Sequence, residues 1–199
     1  MTLLEEHPRT FRERSTVVLE TERLVLRAPK LEDAKTIAAL ANDRQIAENT
    51  ARIPHPYKLA DAKLWIRSIA DDAAEHTFLV TLTDGAIIGA CGVHLRDDPA
   101  PEIGYWLGRP YWGQGYATEA VRAVIDHAFT EMGHDALQAG ARVTNPASRR
   151  ILEKCGFQWT GVGLCRVRAL NSSTPIDRFR LERGIWASLK RWGKMRRVA

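Results

Sequence analysis

The sequence predicts an α+β fold, a mixed β-sheet flanked by helices, and three observations carry that prediction. Apolar residues recur with period two in some stretches and with period 3.6 in others, so strands and helices interleave. Their order places strands next to one another early and alternates strand with helix late, which requires a sheet of mixed direction. No repeat and no linker divides the chain, and 199 residues at 22.4 kDa suffice for one substantial core.

The elements follow in order. Residues 1–20 are polar and without a clear period, and read as a loosely held arm. Thr21 to Ala28 alternates, with Leu24, Leu26 and Ala28 on one side, and Pro29 ends this first strand. Leu31 to Asn42 carries Leu31, Ala34, Ile37, Ala38 and Ala41 at helical spacing. Pro54 and Pro56 impose a break before a second helix over 59–74, with Leu64, Trp65 and Ile69 on one face. Thr77 to Leu82 and Ala86 to Leu95 form a hairpin around Asp84-Gly85. A loop over 97–101 precedes a strand from Glu102 to Leu107. The longest helix runs from Ala117 to Met132, striped by Ala117, Ala120, Val121, Val124, Ala128 and Met132 and closed by Gly133. A strand over 137–143, a short helix from Pro146 to Cys155 and strands over 157–161 and 176–181 complete the sheet. Ile185, Leu189 and Trp192 then continue at helical intervals.

Composition narrows the class. With 45% hydrophobic and 27% charged residues, the chain has the make-up of a soluble globular protein. No apolar run approaches membrane-spanning length, and Glu5, Glu6, His7 and Pro8 interrupt any signal-peptide core, so a cytoplasmic protein is expected. Cys91, Cys155 and Cys165 are odd in number and form no Cys-x-x-Cys, which argues against a disulfide framework and against a metal site. The net charge of +5 sits mostly in the tail, where Arg178, Arg180, Arg183, Lys190, Arg191, Lys194, Arg196 and Arg197 face the single acid Glu182. The rest of the chain is slightly acidic, so the high pI says little about an active site. The tail reads as a helix packing its apolar side on the domain; a basic face for RNA or an acidic partner is the weaker reading.

The chain is organised around Gly108 to Ala120. Gly113 and Gly115 stand two apart between an apolar strand and the longest helix. Unpaired amides and the dipole at such a helix N-terminus suit an anion, and glycines let a phosphate approach without a Cβ in the way. A tight turn between packed elements accounts equally well for that spacing. No Gly-Lys-Ser/Thr follows, and the third glycine of a dinucleotide fingerprint is missing, which sets both of those motifs aside.

Trp112 to Ala117 resembles the Q/R-x-x-G-x-G/A pyrophosphate loop of the GNAT N-acetyltransferases. The longer stretch Glu102 to Ala120 resembles the branch that acetylates the N-terminal alanine or serine of ribosomal proteins. Trp112 stands where most of the superfamily has Gln or Arg, a position at which this branch is variable. The resemblance covers roughly Thr21 to Arg183, leaving 1–20 as an arm and 184–199 as a basic tail. It implies the GNAT fold with a splayed central sheet, acetyl-CoA as donor and no metal. It implies that the amides of Gly113, Gln114, Gly115, Tyr116, Ala117 and Thr118, with Trp112, hold the diphosphate. The pantetheine arm would then meet Tyr105, Trp106 and Leu107.

In Asn145-Pro146-Ala147-Ser148, Asn145 is by default an N-cap. The resemblance implies that Asn145 contacts the pantetheine and that the Ser148 hydroxyl protonates the departing thiolate. Arg149 reads as a solvated helix residue or as a phosphate partner. For the amine proton the alternatives are Glu102 at the start of the key strand, His94 on the neighbouring strand, or no dedicated base. The acceptor pocket would lie between residues 31–65 and the loop around Arg168 to Thr174.

The expected function is direct acetyl transfer to a primary amine, either a protein N-terminus or a small molecule. The alternative is a CoA-binding sensor without turnover. The expected partners are acetyl-CoA and the amine, without a membrane; a ribosomal contact stays open, as does the choice between monomer and homodimer.

Overall fold

The computed structural model describes residues 17–72, 75–95 and 100–195, with side chains to residue 192. Eight strands form one sheet: β1 (Leu19–Glu20), β2 (Leu24–Arg27), β3 (Glu75–Leu82), β4 (Ile87–His94), β5 (Glu102–Leu107), β6 (Ala136–Arg142), β7 (Gln158–Val167) and β8 (Ser172–Glu182). Their spatial order is β1-β2-β3-β4-β5-β6-β8-β7. Every contact is antiparallel except β5 with β6, which is parallel. The helices are α1 (Ala34–Ala41), α2 (Arg44–Glu48), α3 (Leu59–Asp71), α4 (Tyr116–Thr130), α5 (Pro146–Lys154) and α6 (Arg183–Met195).

Strand alternation divides the interior into two cores. On one face, Cys91, Val93, Ile103 and Leu107 pack with Val121, Val124, Ile125, Ala128 and Phe129 of α4. On the other, Leu79, Ala90 and the partly buried Trp106 pack against Ile37 and Ala41 of α1 and Ala62 and Ile66 of α3. The sheet is thus a partition with a separate helical layer on each side.

Several boundaries differ from the sequence expectation. The arm placed at 1–20 is shorter, because Leu19 and Glu20 pair with Leu26 and Val25; residues 1–16 lie outside the described residues. The strands expected over 157–161 and 176–181 extend into a long hairpin, with Val167 pairing with Ser172. Val162 and Leu164 are exposed on the outer strand β7, so no contrast between a wet and a dry face announces it, and backbone pairing sustains it instead. In α6, Trp186 docks on Phe129 with ring centroids 5.1 Å apart and donates its indole N–H to Asp126 at 2.6 Å. Trp192, expected on the packed side, is exposed. Among the described residues no helix is long and apolar enough to cross a membrane.

Candidate active site

The parallel β5–β6 ladder covers only Glu102 with Gln138 and Ile103 with Ala139, so the two strands part beyond Ile103. Gln138 N–H reaches the Pro101 carbonyl at 2.8 Å, while Gly108 N–H reaches back to Ile88 on β4 at 2.8 Å. Alternation between these two bonds turns the backbone groups of Tyr105 and Leu107 toward the gap and those of Gly104 and Trp106 toward β4. The Leu107 carbonyl is occupied, accepting the Trp112 indole N–H at 2.7 Å. Trp112 therefore acts as a brace between the strand end and the loop.

The loop leaves β5 and enters α4 through two left-handed glycines, Gly113 at φ 76° and Gly115 at φ 83°. A side chain at either position would be strained. The first α4 amide to bond back is that of Glu119, to the Gly115 carbonyl at 3.1 Å. No side chain caps α4, and among the described residues no protein acceptor takes the amides of Gly113 through Thr118. A helix start left open in this way concentrates donors and positive dipole on one spot.

A cluster that sequence reasoning missed holds this start in place. The Glu119 carboxylate accepts from Thr21 Oγ1 at 2.7 Å, from Arg23 N at 2.9 Å and from Arg23 Nε at 2.7 Å. Burial raises the Glu119 pKa, but these bonds outweigh it and leave a net lowering. Arg23 also donates to the Gln114 carbonyl at 3.1 Å and lies over the Tyr116 ring, 4.6 Å from its centroid. A groove of about 810 Å³ between residues 18–23 and α4 runs up to Gly115 and Thr118. It opens outside the interstrand gap, alongside the loop.

Across the gap, α5 presents the second constellation. Asn145 Oδ1 caps α5 by accepting the Ser148 amide at 3.1 Å, and this cap sets the first turn. The Ser148 hydroxyl lies 2.8 Å from the Tyr105 hydroxyl, which also reaches the Ser148 carbonyl at 3.3 Å. Burial pushes the Tyr105 phenol well above its ordinary range, so it stays protonated. Arg149 points elsewhere, to Glu153 at 2.9 Å and Asp177 at 3.4 Å.

On the opposite face, His94 stands directly across from Glu102 on β5 and from Glu75 on β3. The Glu75 Oε2 is 2.5 Å from His94 Nδ1, and Arg52 lies against the same ring, 3.0 Å from Nε2, while pairing with Glu75 at 2.6 Å. Burial raises the Glu75 pKa, but the bonds from His94 and Arg52 prevail and hold it down at about 2. His94 Nε2 overhangs Gly104, where a Cβ would sit only 3.0 Å away. Glu75 and Arg52 were not singled out in the sequence. The register of the Asp84-Gly85 hairpin, continued through one bulge, was a signal capable of pairing Glu75 with His94.

The model of the acetyltransferase (GNAT) domain matches residues 23–158, and the chain belongs to that family of acetyltransferase enzymes. An uncharacterized N-acetyltransferase p20 of Bacillus licheniformis is 34% identical over 151 residues, spanning 72% of this chain and 84% of the relative. The fold is that of Mycobacterium smegmatis RimJ in complex with CoA-disulfide, with TM-score 0.73 and 19% identity over 85% of this chain and 87% of that one. It is likewise that of Vibrio cholerae spermidine N-acetyltransferase in complex with CoA and spermine, with TM-score 0.72 and 20% identity over 84% and 99% of the two chains.

Proposed function

We propose that the protein transfers an acetyl group from acetyl-CoA directly to a primary amine, on a protein N-terminus or a small molecule. The observation that carries this reading is the run of amides from Gly113 to Thr118 with no acceptor among the described residues, set beside the gap where β5 leaves β6. Those amides, at Gly113, Gln114, Gly115, Tyr116, Ala117 and Thr118, are the donors for a diphosphate, with Trp112 fixing the loop to Leu107.

Acetyl-CoA supplies an acetyl thioester, and the chain's own groups do the rest. The N–H groups of Tyr105 and Leu107, which have no acceptor among the described residues, line the gap as hydrogen-bond donors, for the pantetheine amides and for negative charge developing on the acetyl oxygen. Asn145 shapes the far wall through its cap on α5. The amine nitrogen bonds to the acetyl carbon as the carbon–sulfur bond breaks. The Ser148 hydroxyl, oriented by the Tyr105 hydroxyl 2.8 Å away, gives its proton to the departing sulfur and regains one from solvent. Glu102 takes the amine proton, directly or through water. Trp106, with its backbone bound to β4 and its ring in the second core, serves the acceptor side.

Release of free thiol, followed with acetyl-CoA and a panel of amines that includes peptides beginning with Ala or Ser, tests the reading. Turnover with an amine, slowed in Ser148→Ala and in Glu102→Gln, supports it. Tight CoA binding without turnover on any amine supports a sensor instead.

A further inference from the structure

We infer that the acceptor amine carries an anionic group, a carboxylate or a phosphate, which seats on the guanidinium groups of Arg166 and Arg168. This rests on the acetyl-transfer reading for its place in the reaction. On the face of the sheet that holds His94 and Glu102, a pocket of about 420 Å³ is lined by Ala51, Arg52, Arg166, Arg168 and Asn171. Three of its five lining residues are arginines. Two distant segments form it, and the bond from Arg168 N–H to the Ala51 carbonyl at 3.0 Å holds them together.

The charges at this mouth do not cancel. Glu75 is committed to Arg52 and to His94. Arg166 donates to the neutral Asn171 side chain at 2.8 Å, and Arg168 has no ion-pair partner among the described residues. Asn171 holds a left-handed conformation at φ 47°, which folds the end of the hairpin back so that Arg166 and Arg168 flank one space. The Arg168 charge is also felt at the buried phenol of Tyr57, where burial and Asp61 raise the pKa and Arg168 opposes them. Nearby, Arg142 donates Nη1 to the Glu48 carbonyl at 2.8 Å, and its buried Nε lacks a partner among the described residues. The guanidinium fork matches the planar or tetrahedral oxygens of a carboxylate or phosphate.

The pocket also adjoins the transfer point. Arg52 touches the His94 ring, and that ring overhangs Gly104, the first residue of β5 beyond the ladder with β6. An anion held by Arg166 and Arg168 thus sits beside Arg52, which touches the ring covering the start of the gap.

Calorimetry tests this without catalysis, comparing Ala-Asp-amide with Ala-Asn-amide, and phosphoethanolamine with ethanolamine, with and without CoA. The wild-type protein is expected to bind at least one anionic probe about tenfold or more tightly than its neutral counterpart. The probe that shows the preference distinguishes a peptide carboxylate from a phosphate. Arg166→Gln combined with Arg168→Gln is expected to erase the preference while leaving the thermal midpoint and CoA affinity unchanged. Equal binding of charged and neutral probes, no binding of either anionic probe, or a preference that survives the double substitution overturns the inference. Since binding is read without acetyl transfer, failure of the transfer reading stays distinct from failure of the anion site.

Discussion

Tyr105 and Ser148, from β5 and from the first turn of α5, hold their hydroxyl oxygens 2.8 Å apart beside the parting of β5 and β6. The buried phenol keeps its proton, so the serine hydroxyl always has a donor beside it. Ser148→Ala is expected to lower kcat about a hundredfold while CoA affinity stays within about threefold. Tyr105→Phe is expected to cost about tenfold, since it removes the hydroxyl that orients Ser148 without removing Ser148 itself. Steady-state thiol release and calorimetric CoA binding read the two effects separately. An unchanged kcat in Ser148→Ala removes that residue from the chemistry.

The loop glycines are expected to respond differently. A Cβ at Gly115 meets left-handed strain and lies 3.4 Å from Arg23 Nη2, whereas at Gly113 it meets only the strain. Gly113→Ala is expected to cost about 1–2 kcal/mol of folding stability, the ordinary penalty of that conformation. Gly115→Val is expected to weaken CoA about tenfold or more, because it displaces the amides at the head of α4. Calorimetry with CoA, alongside thermal unfolding, distinguishes the two.

Glu119 ties the β1–β2 turn to the head of α4. Glu119→Ala leaves Thr21 and Arg23 without their acceptor, at a cost of about 1–2 kcal/mol once the exposure of Arg23 is discounted. For a chain of this size that lowers Tm by about 2–8 °C. Because Arg23 also holds the Gln114 carbonyl, the KM for acetyl-CoA is expected to rise as well.

Glu75 ties acid stability to the sheet face that holds His94 and Glu102. Its folded pKa, about 2, lies below the ordinary value of 4.5, so its contribution is present above the ordinary value and is lost as pH falls toward 2. Glu75→Gln is therefore expected to destabilise the protein most near neutral pH, with the deficit shrinking between about pH 5 and pH 2. Denaturant unfolding of both proteins across that range measures the closing gap. A deficit that is constant with pH contradicts the ionic role.

The comparison of sequence with structure separates along one physical line. Local rules located the hairpin at Asp84-Gly85, the α4 stripe, the Asn145 cap and the paired glycines. In each, the informative residues lie within a few positions of one another, and backbone geometry alone imposes the choice. The extension of the β7–β8 hairpin beyond residues 157–161 and 176–181 escaped, because an outer strand with exposed Val162 and Leu164 needs no alternation to persist.

What the sequence determined by itself is the site's backbone: an apolar strand, two glycines that tolerate positive φ, and a helix whose first amides have no internal acceptor. What only the tertiary structure decided is which side chains meet around it. The Tyr105–Ser148 pair, the Glu119–Arg23 anchor, the Glu75–His94–Arg52 cluster and the arginines around Asn171 join residues remote in sequence or set by strand register. Register, strand direction and the splay of β5 from β6 are properties of the whole sheet, because each depends on every other strand finding its place.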